Sequence, residues 1–330
     1  MQAALAEACN GVGLTHPNPA VGAVIVRKGK VIGRGWHRKA GLPHAEIEAI
    51  ASVSSPRLLK GSTIYVTLEP CSTHGRTPPC TSAIQNAGFV RVVYGATDPN
   101  PSHAGAAQKI LSSAGIDVTA GILETECSRL NEAWNKWIVT KRPFVIAKAG
   151  MTLDGRIASL PGGRWITSPA SRQDAMQWRK ICQAILVGGE TVRVDNPRLT
   201  LRGLHGYQQP LRVVWSRSGN IPPDCQLLTD RFRDKTRVFC GKSLPQVLKE
   251  LGALGVACVL IEGGGRTLGE AFDRKLVDRA LFYMAPIIGG GPVPAVGGRG
   301  VSSPDKAWKL GDEEFSRIGD DLMLTGRVLY

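Results

Sequence analysis

Short apolar runs recur along the chain and alternate with stretches of helical spacing, and this alternation most constrains the fold. "AVGAVIV", "STIYVTLE" and "VRVVYGA" occur in the first part, and "FVIAKAG", "AILVGG", "LRVVWS" and "ACVLIEGGG" in the second. Each has the length of a buried strand and is far too short to span a bilayer. Between them, "HAEIEAIASV", "CTSAIQNAG" and "GAAQKILSSAG" carry apolar residues at helical intervals. Helices that bury one stripe against a sheet give an α/β architecture.

The pattern runs twice. In the first pass "QAALAEACN" predicts a short helix, and "AVGAVIVRKGKVIGRGW" predicts a hairpin around Lys28-Gly29. Gly88 is expected to close the helix "CTSAIQNAG", and "IDVTAGI" reads as a further strand. After "ETECSRLNEAWNKWIVTKRP" the alternation restarts, and Pro143 marks the expected boundary. A chain of 330 residues is long for one hydrophobic core, so two domains are expected, 1–142 and 143–330. In the second, "SPASRQDAMQWRKIC" predicts a helix capped by Ser168, and "RVFC" a further buried strand. "LVGGETVRVDNPRLTLR" reads as a strand running into a loop, and "SLPQVLKELGALG" and "RTLGEAFDRKLV" as helices. "DRALFYMAP" and "DLMLTGRVLY" read as late strands.

Hydrophobic residues make up 43% and charged residues 21%, the balance of a globular protein rather than a disordered one. The N-terminal "MQAALAEACNGVG" lacks the basic and apolar regions of a secretory signal, so cytoplasm is the plain reading. The net charge of +14 admits nucleic acid or phosphorylated small molecules as partners. The basic residues are dispersed, and no aromatic run of the kind single-strand binders use is present.

Eight cysteines are scattered without the dense spacing of a disulfide scaffold. Most lie beside apolar segments, where a thiol behaves as a small hydrophobe. Cys71 and Cys80 instead bound a polar loop, "CSTHGRTPPC", downstream of His44 and Glu46 in "PHAE". One imidazole and two thiolates suit a catalytic zinc that keeps a fourth position open. His44 is expected to open a helix, Cys71 to end a strand and Cys80 to begin the next helix, whose N-terminus favours thiolate. Glu46, two residues past the histidine, would pass a proton from water to a leaving amine. H-x-E followed by P-C is the signature of zinc-dependent nucleobase deaminases, although the two cysteines here stand nine positions apart rather than three.

"THPNPAVGAVIV", "GRGWH", "PHAE", "YVTLEPCSTHGRTPPC" and "DPNP" together resemble the deaminase half of the bifunctional riboflavin-biosynthesis family. The wide cysteine spacing is that family's. The resemblance implies a cytidine-deaminase-like α/β/α domain with Zn2+ on His44, Cys71 and Cys80, and Glu46 as catalytic residue. It also implies deamination of 2,5-diamino-6-ribosylamino-4(3H)-pyrimidinone 5′-phosphate. Asn18 reads either as a reader of the pyrimidine edge or as a turn residue between prolines. His74 and Arg76 read either as phosphate contacts or as solvated loop residues.

"KAGMTLDGRIA", "WITSPASR", "LVGGETVRVDNPRLTLR", "IEGGGRTL" and "LVDRALFYMAPIIGGG" resemble, in order, the reductase half of the same family. That implies a dihydrofolate-reductase-like α/β domain using NADPH to turn the ribosylamino sugar into a ribitylamino chain. Gly150, Trp165, Thr191, Asp195, Gly263, Gly264, Gly265, Arg266, Thr267 and Leu268 correspond to cofactor contacts. Arg179, Leu199, Arg202 and Glu262 correspond to substrate contacts, the arginines suiting a phosphate. Other readings stay open: Trp165 as core, Arg179 as a solvated helix residue, and Asp195-Asn196 as an ordinary turn. Gly163 departs from the polar residue of several relatives. The partner implied is a phosphorylated pyrimidine, with no nucleic acid and no membrane, and with room for a homo-oligomer.

Overall fold

The computed structural model describes residues 1–330 apart from 74–77, 102 and 158–164, so Gly163, His74 and Arg76 lie outside the described residues. The chain forms two compact units, Met1–Thr140 and Lys141–Tyr330.

Unit 1 runs α1 (Gln2–Cys9), β1 (Gly22–Arg27), β2 (Lys30–Trp36), α2 (Ala45–Ala51), β3 (Thr63–Leu68), α3 (Cys80–Ala87), β4 (Arg91–Ala96), α4 (Ala106–Ser113), β5 (Asp117–Thr119), α5 (Glu124–Leu130) and α6 (Glu132–Thr140). The sheet order is β2-β1-β3-β4-β5. β1 is antiparallel to β2 and β3, and β3, β4 and β5 are parallel. Lys28 and Gly29 both have positive φ, the geometry of a two-residue hairpin turn matched to strand twist. Gly88 closes α3 at φ 74°, in the left-handed region.

Successive residues of a strand face opposite sides, and the two layers follow from that alternation. Ala23, Ile25, Ile64, Val66 and Val92 pack with Ala45 and Ala49 of α2, Ile84 of α3 and Leu111 of α4. On the other face a Cβ on Gly22 would lie 2.1 Å from the Ala4 carbonyl oxygen of α1. Cys127 of α5 packs with Leu68 and Ala96 there, joined by Leu5 and Trp134. Unit 1 is thus an α/β/α sandwich.

Unit 2 runs β6 (Phe144–Thr152), α7 (Pro169–Ile181), β7 (Ala184–Gly188), α8 (Gly189–Asp195), β8 (Leu211–Ser216), α9 (Gln226–Thr229), β9 (Thr236–Cys240), α10 (Leu244–Ala253), β10 (Cys258–Ile261), α11 (Gly265–Asp273), β11 (Arg279–Ala285), β12 (Lys309–Ile318) and β13 (Asp321–Leu329). Its sheet has the order β12-β13-β11-β6-β10-β7-β8-β9. It is parallel from β11 through β9, with β13 and β12 antiparallel at one end. β10 inserts between β6 and β7 and brings the C-terminal ends of all three strands together. One face packs Val145, Ala147 and Leu186 against Val247, Leu251, Leu268 and Phe272. The other packs Ile185, Val187 and Val214 against Val192, Leu199 and Leu227.

The Ser168 hydroxyl caps α7 by accepting from the Ser171 amide. Several sequence expectations need correction. "GETVRVD" is helix α8 rather than loop, so Thr191 and Asp195 are helical; its β-branched residues mask the helical signal. β9 is an edge strand with Val238 exposed, not a buried strand. β12 went unread because its "GDEEFSR" carries no apolar alternation, as befits a solvated edge. Cys71 lies past the end of β3 rather than on it. No helix among the described residues is long and apolar enough to cross a membrane.

Candidate functional site

In unit 1, α2 begins at Ala45 with His44 as its N-cap residue, and α3 begins at Cys80. The loop after β3 returns Cys71 to the start of α3, where the Cys80 amide donates to the Cys71 Sγ at 3.3 Å. The His44 Nδ1 lies 3.5 Å from the Cys71 Sγ and 3.3 Å from the Cys80 Sγ. All three ligand atoms fall within 4.8 Å of one another. Zinc bonds of about 2.1 and 2.3 Å at tetrahedral angles put nitrogen and sulfur ligands about 3.6 Å apart. The trio therefore fits zinc.

The electrostatics agree with a shared dication site. The hydrogen bond from Cys80 pulls the Cys71 thiol down to about 4, helped by His44, while the same bond and burial push Cys80 up. His44 is raised, first by its bond to Cys71. Metal ligation requires both thiols deprotonated, so binding there would release protons. Glu46 is buried on α2, and desolvation, with the Cys71 charge next, pushes its carboxyl up to about 7. A buried carboxyl that ionises reluctantly can both take and give a proton.

A cavity of about 320 Å³ opens on this cluster. Asn18, His37, His44, Glu46, Cys71 and Asp98 line it, with Trp134, Trp137 and Ile138 of α6. Asn18 is held by the site: its Nδ2 lies 3.1 Å from the His37 Nε2, while the His37 Nδ1 lies 3.0 Å from the Pro43 carbonyl oxygen. Burial lowers the His37 pKa, so a neutral ring can donate from Nδ1 and accept from Asn18. Buried Glu69 forms the floor, its carboxylate accepting from the Asp98, Gly105 and Ala107 amides and so fixing "DPNP" and the start of α4. His37, Glu69, Asp98 and the α6 tryptophans were not singled out from sequence. The signal available for the last was two tryptophans three apart on one helix face.

In unit 2 the register explains the convergence. Ile261 of β10 pairs with Ala147 of β6 and Leu186 of β7. One residue further along, Glu262 stands beside Lys148. The turn 263–265 then runs beside Thr191 of α8, and a Cβ on Gly150 would meet Thr167 instead. A Cβ on Gly264 would have only the Thr191 Oγ1 within 4 Å, at 3.7 Å, so this backbone is open to a ligand at the N-terminus of α11. Gly265 serves packing instead, since a Cβ there would sit 2.2 Å from the Pro294 carbonyl oxygen. Leu268 and Leu199 point into the two cores, so only their backbones could meet a ligand. Asp195 and Arg266 are exposed.

Arg179 is not a solvated helix residue. Its Nε and Nη2 donate to the two Glu262 carboxylate oxygens at 2.6 and 2.8 Å, and its Nη1 to the Thr200 carbonyl oxygen at 2.9 Å. Burial alone would raise the Glu262 carboxyl, yet Arg179, aided by Lys148 and Arg202, holds it at about 2. Desolvation lowers the Lys148 pKa against the pull of Glu262. Lys148 was legible as the one charge in "FVIAKAG", an unusual place for a lysine. Trp165 is 59% exposed and therefore not core; the Arg172 guanidinium lies 4.8 Å from its ring centroid. Arg172 and Arg202 line a second cavity of about 370 Å³, so Arg202 rather than Arg179 faces open space.

The family model of the cytidine and deoxycytidylate deaminase zinc-binding region matches residues 1–96, and that of the RibD C-terminal domain matches 143–324. The chain is 42% identical to the riboflavin biosynthesis protein RibD of Synechocystis sp., over 99% of this chain and 95% of that protein. The structure of Acinetobacter baumannii RibD, form 1, superposes with a TM-score of 0.91 at 33% identity, covering 100% of this chain and 98% of that one. The diaminohydroxyphosphoribosylaminopyrimidine deaminase/5-amino-6-(5-phosphoribosylamino)uracil reductase of Thermotoga maritima gives 0.88 at 34% identity, covering 100% and 97%. The chain belongs to the RibD family, the bifunctional enzymes of riboflavin biosynthesis that join a deaminase domain to a reductase domain.

Proposed function

We propose that unit 1 deaminates 2,5-diamino-6-ribosylamino-4(3H)-pyrimidinone 5′-phosphate by hydrolysis, and that unit 2 then reduces the ribosyl chain with NADPH. The product is 5-amino-6-(5-phospho-D-ribitylamino)uracil. The observation that carries the first step is the chelating trio His44, Cys71 and Cys80 with buried Glu46 on the same cavity. Zinc held by the trio supplies a Lewis acid that makes water nucleophilic at neutral pH. Glu46 takes the proton from that water and returns it to the departing ammonia. Asn18, its amide oriented by His37, reads the donor and acceptor edge of the ring.

For the second step, the Gly264 backbone, Thr191 and the N-terminus of α11 suit the cofactor's phosphates. NADPH supplies the hydride. Reduction also consumes a proton, and Lys148, desolvated beside the Glu262 carboxylate, is the residue we assign to deliver it. Arg202 and Arg172 suit the substrate phosphate.

The test is metal analysis of the purified protein together with ammonia release from the diamino substrate in the absence of NADPH. One zinc per chain and ammonia release are expected, with both lost in Cys80→Ser. A Cys80→Ser variant that keeps zinc and full deamination would overturn the assignment of the trio.

A further inference from the structure

Part of the lining of the cavity belongs to α6, whose Trp134, Trp137 and Ile138 stand at positions i, i+3 and i+4 and share one face. The two indoles are held differently. Trp134 packs against the cluster of Leu68, Ala96 and Cys127, so it anchors the helix. Trp137 is not part of that cluster. Its ring lies beside His16 at a centroid distance of 6.4 Å and a tilt of 56°. Pro17, Asn18 and Pro19, which follow His16, line the same cavity. Trp137 and the edge-reading Asn18 therefore stand on adjoining parts of one wall.

We propose that Trp137 is a substrate-binding residue of the deaminase site, presenting its indole face to the flat pyrimidine ring while Asn18 reads the ring edge. The inference rests on the deaminase reading above. A planar heterocycle whose reacting carbon must meet the trio offers one face to the cavity wall, and tryptophan is the side chain best suited to cover it. Stacking is indifferent to which proton moves, so it belongs to binding and not to chemistry. Trp134 fixes the position of the helix, and so the height of the platform.

The experiment compares Trp137→Phe, Trp137→Leu and Trp137→Ala as zinc-loaded full-length protein, measuring ammonia release from the diaminopyrimidinone phosphate. Phenylalanine keeps a π-face, whereas leucine keeps apolar cover without one. KM is expected to rise about ten-fold in the Leu and Ala variants, the order of a lost base–aromatic stack. The Phe variant should stay near wild type, with kcat and zinc content unchanged throughout. Substrate titrated into Glu46→Gln should quench tryptophan fluorescence, and the quench should shrink in the Glu46→Gln/Trp137→Phe double variant. Equal KM values for Phe, Leu and wild type, with only the melting temperature falling, would overturn the proposal and make Trp137 packing. Failure of the wild-type zinc protein to release ammonia at all would instead sink the deaminase reading, so the two failures are separable.

Discussion

In unit 1 the residues of the candidate site touch one another, whereas in unit 2 they are gathered from several segments with their side chains often turned elsewhere. His44, Cys71 and Cys80 place three ligand atoms within 4.8 Å. Leu199 and Leu268 of unit 2 are buried in opposite cores, and Arg179 is bound to Glu262. Metal chelation demands side chains of particular chemistry, so it leaves a mark in the sequence. The cofactor cradle proposed at the C-terminal ends of β6, β10 and β7 would use backbone and topology, which residue types mark weakly.

The contrast predicts how each site breaks, and the largest effect belongs to unit 1. Glu46→Gln should lower deamination by roughly 10²–10⁴-fold, the usual weight of a general acid–base group, with zinc retained. Ammonia assays alongside metal analysis check both. In unit 2, replacing Lys148 by Met should slow NADPH oxidation about 10²-fold with deamination intact, as followed by absorbance on the deaminated substrate. A rate within two-fold of wild type would remove Lys148 from proton delivery.

Glu262→Gln leaves Arg179 buried without its counter-charge, and breaking such a pair costs about 3–5 kcal/mol. Denaturant unfolding should show that loss in the unit 2 transition. Because the folded Glu262 carboxyl is held at about 2, below an ordinary glutamate, its stabilising contribution is full above the unfolded pKa. It is lost as pH falls from there towards 2. The wild type and Glu262→Gln should therefore converge in stability on acidification. A difference that stays constant down to pH 2 would refute the coupling. The smallest effect separates the glycines: Gly264→Ala should fold normally and weaken NADPH binding, while Gly265→Ala, facing the Pro294 carbonyl oxygen at 2.2 Å, should destabilise the unit. Thermal melts with and without NADPH distinguish them.

Legibility followed the same divide. The strands of unit 1, the hairpin turn at Lys28-Gly29 and the trio with Glu46 are all plain in the sequence, because each depends on local pattern or spacing. The α8 helix was hidden by Val192 and Val194, and β12 by its charges, since an edge strand needs no buried face. Glu69 and His37 act by holding "DPNP" and Asn18, and such partnerships are set by tertiary contact alone. The first compact unit ends at Thr140, where α6 ends, and Pro143 precedes the first strand of the second.

If the two sites act in order, Glu46→Gln separates the steps. The variant is given NADPH with either the diamino substrate or its deaminated product, and NADPH absorbance is followed. No oxidation is expected with the diamino substrate, and wild-type oxidation with the deaminated product. Oxidation at the wild-type rate with the diamino substrate would contradict that order.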